Sequence, residues 1–338
     1  MAKPAITIKD VAREANVSVA TVSRALNGHD NVAAPVRQTV LEVASRLRYT
    51  PHAAARSLSS RSTQTLGLVL PDLHGEFFSE LIRGIDGVAR AHRRHLLVSS
   101  YHGDQEQQGA ALQAMRGRVD GLLVMSPYAG AGFLVDNLPA ALPTVLINTP
   151  LPEGDYPGFG IDDHAGAMAM TRYLLASGHR RLAFIAGPDS NHDARERLRG
   201  FRDAVAEAGA GVEGRVLPGG FDEASGHRAG MALLQGGSLP DAVFAANDMM
   251  ALGCLYAFSQ AGVKVPEQVA LAGFDDIPLA RFVHPSLTTM RISIAELGER
   301  AAAHLLQLID GNTATAAAAM TLAPALVVRD STAVRGPP

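Results

Sequence analysis

The stretch Thr7–Asn27 constrains this chain more than any other. It reads as two short helices with a tight turn between them, and at an N-terminus the obvious use for that arrangement is reading nucleic acid. Thr7 followed by Asp10 gives a capping-box-like start, with Asp in place of the usual Glu. Val11, Ala12 and Ala15 supply an apolar face at helical spacing. Asn16 falls where the chain folds back, and Asn tolerates left-handed backbone. Ser18 can cap the second helix by accepting from the amides of Ala20 or Thr21. Val22, Ala25 and Leu26 then point inward, which leaves Val19, Ala20, Thr21, Ser23, Arg24 and Asn27 facing outward.

That outward face suits the major groove, because the start of the second helix in such a pair meets base edges. Val19 and Ala20 can pack on thymine methyls, and Arg24 can bond guanine O6 and N7 together. Thr7, Ser18, Thr21, Ser23 and Asn27 carry short polar groups suited to phosphates. The competing reading is a helical hairpin that merely packs on something. Two features weigh against it. A third amphipathic helix is predicted near Ala34–Arg48, with Val36, Val40, Val43, Ala44 and Leu47 inward. The charge is also segregated. Residues 1–62 hold nine Lys/Arg against four Asp/Glu, a net of +5, and the remainder holds 21 against 29, a net of −8. A basic head on a mildly acidic chain is what phosphate binding requires.

Past residue 63 strands alternate with helices. Strands are predicted at Thr65–Leu70, Leu96–Ser100, Gly121–Ser126 and Val145–Asn148, with helices at Phe77–His95 and Gln105–Arg116. The pattern then restarts: strand Arg181–Ala186, helix Ala194–Ala208, strand Arg215–Leu217, helix Ser225–Leu234, and strands Ala242–Ala245 and Val269–Ala272. Near-continuous apolar strands between amphipathic helices imply parallel sheets covered on both faces. A short echo supports duplication, since Arg83-Gly84-Ile85 and Arg199-Gly200-Phe201 both lie on the first helix of their half. Two such sheets side by side leave a cleft where strand C-termini face each other, the usual place for a ligand.

The run Thr7–Asn27 resembles the DNA-binding head of the lactose-repressor (LacI/GalR) family along its whole length, and the resemblance continues to about Arg329. A second match is Tyr49–Leu58. The resemblance implies that this segment is a hinge helix whose leucine, here Leu58 with Ala55 and Arg56 beside it, enters the minor groove at the operator centre. Read without the family, Ala53–Leu58 is a plain linker helix. The implied architecture is an N-terminal all-α helix-turn-helix domain with a hinge helix, followed by a C-terminal α/β, two-lobed, periplasmic-binding-protein-like (type I) domain with parallel sheets. The expected boundaries are 1–50 for the head, 51–63 for the hinge and 64–329 for the lobed domain. Lobe 1 would take 64–162 and 291–321, lobe 2 163–290 and 322–329, and 330–338 a flexible tail.

In the expected cleft, Arg197, Phe221, Asn247 and Asp275 fall on the family's effector-contact positions, and Phe77 and Phe78 match within a loop of variable length. The chemistry suits a sugar: Asp275 can accept from neighbouring hydroxyls, Arg197 and Asn247 can donate, and Phe221 offers a flat wall. Blander readings stand beside these. The phenylalanines could be core, Asp275 and Asp276 could cap the following helix, and Arg197 could be a solvated face residue. Asp162 and Asp163 read as turn-formers, with Asn148 and Asp72 as weak candidates.

Neither a metal-binding pattern nor a phosphate loop is present in the sequence, and Gly-x-Ser-x-Gly is absent. The expectation is therefore no cofactor and no catalysis. One cysteine, Cys254, sits in an apolar helical run and reads as a buried structural thiol. It fits a reducing cytoplasm, and neither a signal peptide nor a spanning segment is read. The expected partners are double-stranded operator DNA, a small-molecule effector such as a sugar, and a second copy in a homodimer, without a membrane. The chain would then act in the cytoplasm, at the bacterial nucleoid. The residues after Arg329 carry no leucine heptads, so a dimer is expected and no larger assembly. A sugar-binding or sugar-modifying α/β protein without regulatory role is the alternative, and it leaves the basic head unexplained.

Overall fold

The structure is a computed structural model that describes residues 6–26, 31–49, 62–139, 141–150, 156–312 and 319–332. The chain divides into two compact units, Met1–Thr63 and Gln64–Pro338.

Among its described residues the first unit holds three helices, α1 (Ile8–Glu14), α2 (Val19–Leu26) and α3 (Ala34–Arg46). Their inward stripes meet in one core of Val11, Ala12, Ala15, Val22, Ala25, Val32, Val40, Val43 and Ala44. At the start of α1 the Asp10 carboxylate accepts from the Thr7 amide at 3.0 Å and from its hydroxyl at 2.7 Å. Helices α1 and α3 end alike. Asn16 (φ 52°) and Arg48 (φ 53°) adopt left-handed backbone. The next amide then reaches back to the helix, Val17 to the Ala12 carbonyl at 3.0 Å and Tyr49 to that of Ala44 at 2.9 Å. This is why α3 stops at Arg46 and not at Arg48. Arg46 also donates to Glu14 at 2.9 Å, tying α3 to α1.

Among its described residues the second unit holds two six-stranded sheets. The first comprises β1 (Thr65–Leu70), β2 (His95–Ser100), β3 (Gly121–Met125), β4 (Thr144–Ile147), β5 (Gly158–Ile161) and β11 (Ala319–Leu322), in the order β11-β5-β4-β3-β1-β2 and parallel throughout. The second comprises β6 (Arg181–Ile185), β7 (Glu213–Leu217), β8 (Ala242–Ala245), β9 (Ala270–Asp275), β10 (Thr288–Arg291) and β12 (Ala325–Val327), in the order β12-β10-β9-β8-β6-β7. It is parallel except for the β10–β12 pair. Helices alternate with the strands: α4 (Glu76–Ala91), α5 (Gln105–Met115), α6 (Ala131–Asn137), α7 (Asp163–Ala176), α8 (His192–Ala208), α9 (Glu223–Gln235), α10 (Asp248–Gln260) and α11 (Ile294–Ile309). The chain changes sheet after β5, after β10, and between β11 and β12.

Two glycines of the sequence echo are seats for helices. A Cβ on Gly84 of α4 would stand 2.1 Å from the Ala295 carbonyl oxygen of α11, and one on Gly200 of α8 would stand 2.3 Å from that of His164 on α7. Each lets two helices touch backbone to backbone. Helix α4 ends at Ala91, four residues short of the predicted end. Arg93 turns left-handed (φ 55°) and the Arg94 amide bonds the Ala89 carbonyl at 2.8 Å, so His95 already belongs to β2. Ser331 and Thr332, expected in a flexible tail, are buried. The Ser331 hydroxyl donates to the Leu271 carbonyl at 2.6 Å and accepts from the Thr288 amide at 2.8 Å. The tail's first residues thus complete the hydrogen bonding of strands β9 and β10.

Candidate functional site

In the first unit, α2 presents its N-terminal face to solvent. Ser18, Val19, Ala20 and Arg24 are exposed, Thr21 and Ser23 half-buried, and Val22 and Ala25 fix the helix from behind. Ser18 Oγ accepts from the Thr21 amide at 3.1 Å, the cap read from the sequence. The Arg24 Nε donates to the Ala20 carbonyl at 3.2 Å, so the guanidinium lies back along its own helix. Thr7 is exposed at the start of α1. Asn27, Ala55, Arg56 and Leu58 lie outside the described residues.

In the second unit, strand C-termini of the two sheets face a cleft of about 200 Å³. Phe77, Phe78, Arg197, Phe221, Asn247 and Asp275 all line it. The three phenylalanines are half-buried walls, with Phe77 and Phe78 edge to face at 5.4 Å. Phe221 adopts left-handed backbone (φ 67°) after Gly219-Gly220, and its ring closes on Gly187, where a Cβ would stand 2.5 Å away. Asn247 caps α10 by accepting from the Met250 amide at 3.0 Å, and its amide donates to the Phe221 carbonyl at 3.0 Å. One side chain therefore anchors both a helix and the aromatic wall.

Arg197 is buried, which rules out the solvated-face reading. Its Nε donates to Asp163 at 2.7 Å, and its Nη1 donates to the Ala246 carbonyl at 2.6 Å and to Asp275 at 3.1 Å. The guanidinium stacks 3.9 Å from the Phe274 ring centroid. Asp163 is therefore a buried ion-pair partner; its neighbour Asp162 caps α7 by accepting from the Ala165 amide at 2.9 Å. Burial pushes the Asp275 carboxyl up to about 7 against the opposing pull of Arg197. Burial likewise raises Asp163 and, more strongly, Asp193, which also feels the charge of Asp163. Asp275 and Asp276 hold left-handed φ values of 111° and 54°, and neither caps the short helix Pro278–Arg281 that follows. Asp276 instead receives Arg291 at 2.6 Å and Arg329 at 2.5 Å, so it braces two segments next to the sheet crossings.

Sequence reasoning missed Tyr128, Asn191 and Asp193, which also line the cleft. Asp193 sits one turn before Arg197 on α8, and that spacing was the available signal. Direct contacts join the lobes around the cleft. His74 meets Glu223 at 3.0 Å, the His192 amide donates to the Pro127 carbonyl at 2.9 Å, the Leu279 amide to Glu76 at 2.8 Å, and Asn148 to Asp193 at 3.4 Å. Among the described residues no helix is long and apolar enough to cross a membrane, and no group of three or more His, Cys, Asp or Glu is placed to hold a metal ion.

Residues 7–52 match the family of bacterial regulatory proteins, lacI family, and residues 171–332 match a periplasmic binding protein-like domain. The HTH-type transcriptional regulator GalR of Salmonella typhimurium is 38% identical over 330 residues, covering 96% of this chain and 95% of its own. The ribose operon repressor of Haemophilus influenzae is 34% identical over 328 residues, covering 96% and 98%. Among solved structures, the Lac repressor dimer bound to operator and the anti-inducer ONPF superposes with a TM-score of 0.85 at 26% identity, covering 98% of this chain and all of that one.

Proposed function

Because this chain belongs to the lacI family of bacterial regulatory proteins, we propose that it represses transcription from a pseudo-palindromic operator under the control of a small sugar. It is a DNA-binding regulator and not an enzyme, like the relatives it matches over nearly their whole length. The observation that carries the reading is one chain holding both an exposed α2 face of Val19, Ala20 and Arg24 and a polar, aromatic-walled cleft around Arg197 and Asp275. Two copies related by a two-fold axis present two α2 helices to two half-sites. Leu58, with Ala55 and Arg56, supplies a minor-groove wedge at the centre, where a pyrimidine–purine step unstacks most easily. The protein works in the cytoplasm, associated with the nucleoid.

Effector and operator are coupled through their different affinities for two arrangements of the lobes, and the coupling is reciprocal. The crossings braced by Asp276 are where such a rearrangement would turn. A gel shift on a selected operator, with and without a panel of sugars, tests the proposal. Release or tightening by at least one sugar is expected. Unchanged affinity with every sugar would remove the allosteric part, and normal operator binding by Leu58→Ala would remove the wedge.

A further inference from the structure

The charge of the cleft narrows its ligand further than the family does; the argument rests on reading the cleft as the effector site. Four carboxylates line it, Asp72, Asp193, Asp222 and Asp275, against one guanidinium. That guanidinium is committed, since Arg197 already serves Asp163, Asp275 and the Ala246 carbonyl. The two histidines on the lining, His74 and His102, are exposed, and His74 is engaged by Glu223. Asp72 and Asp222 are partly satisfied by local amides, those of Leu73 and His74 for the first and of Ser225 for the second.

Asp193 differs. It is only 6% exposed, lines the cleft, and has as its hydrogen-bond donor the Asn148 amide at a long 3.4 Å. The Asn148 Oδ1 beside it is buried with no hydrogen-bond partner. A buried carboxylate short of donors next to an amide oxygen short of a donor is costly in an empty site. The need of Asp193, which faces the cleft, is met by a ligand that brings hydroxyl hydrogens and no negative charge. We infer that the cleft selects an uncharged polyol and turns away phosphorylated and carboxylated sugars, with Asp193 as the discriminating acceptor. An anionic group in the cleft would find four acidic side chains among the described lining residues, and the one guanidinium there already has its charge matched by Asp163 and Asp275. The apolar walls of Phe77, Phe78 and Phe221 suit the C–H faces of a sugar ring.

Calorimetry on the full chain tests this with matched sugars: glucose, galactose and ribose against glucose 6-phosphate, galacturonate and ribose 5-phosphate. A neutral sugar should bind at least about a hundredfold more tightly than its anionic counterpart, or ~3 kcal/mol at 1.4 kcal/mol per decade. An anionic member that binds as tightly as its neutral counterpart overturns the inference, while operator release by that ligand leaves the sensor reading standing. Silence from every member, with an unchanged gel shift, refutes both. Asp193→Asn should weaken the neutral sugar about tenfold or more and narrow its lead over the phosphate ester. The melting temperature of the ligand-free variant should be equal or higher, because a buried acid crowded by Asp163 and Asp275 has gone. Unchanged affinities for both ligands in that variant would overturn the role of Asp193. A lowered melting temperature without a change in selectivity would reduce Asp193 to a structural residue.

Discussion

Replacing Arg197 with methionine removes the cation shared by Asp163 and Asp275 while keeping most of the side chain's length. Removing one partner of a buried ion pair costs about 3–5 kcal/mol, because the other charge stays behind without compensation. The stacking on Phe274 and the bond to the Ala246 carbonyl go with it. For a unit spanning Gln64–Pro338, at about 2–4 °C per kcal/mol, the loss amounts to about 6–20 °C in Tm. The loss should depend on pH. Burial already raises Asp275 from 3.8 to about 7 while Arg197 pulls it down, so without Arg197 it rises further. The stability held by a raised carboxyl is complete below the unfolded value and lost as pH rises through the folded one. In the native protein that window runs from 3.8 to about 7, and in the variant its upper edge moves higher. Thermal melts followed by circular dichroism should therefore show the full deficit at pH 8. At pH 5.5, where Asp275 of the variant holds its proton, it should shrink toward the lost hydrogen bonds, about 1–2 kcal/mol. An equal deficit at both pH values would refute the account of Arg197 as the neutralising charge.

Arg24→Ala should relax operator preference at one base pair by ~1–3 kcal/mol in binding to a site library; an unchanged preference would take Arg24 out of base reading. Gly200→Ala places a methyl 2.3 Å from the His164 carbonyl oxygen and should destabilise the second unit by about 1–3 kcal/mol through forced separation of α7 and α8, so a neutral melt would contradict the close approach. Ser331→Ala strands the Thr288 amide and the Leu271 carbonyl and should cost about 1–3 kcal/mol. An unaltered melt in that variant would return Ser331 to a free tail.

The sequence was most legible where local chemistry and burial agree. Thr65–Leu70 and Ala242–Ala245 are strands with the predicted bounds because both runs are apolar and enclosed on two faces. The α1–α2 turn was legible because Asn16 and Ser18 are the residue types that a left-handed turn and an N-cap prefer. Helix ends were harder, since α3 and α4 terminate through left-handed arginines, Arg48 and Arg93, where no glycine marks the stop. Helices α7 and α10 bury several sides and show no clean stripe. In the cleft, Arg197 and Asp275 were reached through the family resemblance and not through periodicity. Asp163 and Asp193 became visible only once the packing of α7 against α8 put three carboxylates around one guanidinium.

The late strands β11 and β12 have a consequence for how the protein is made. Each closes one edge of its sheet, and they are separated by only Ala323 and Pro324. Neither lobe can complete its sheet until the ribosome has passed β11 and β12, whereas residues 6–49 contain the core residues that the first unit's helices share. During synthesis the nucleic-acid-reading helices can therefore fold long before the sensor that governs them. A chain cut short before Ala319 would leave β5 and β10 as uncovered edges open to pairing with other chains. Aggregation of such fragments would remove DNA readers that lack their control.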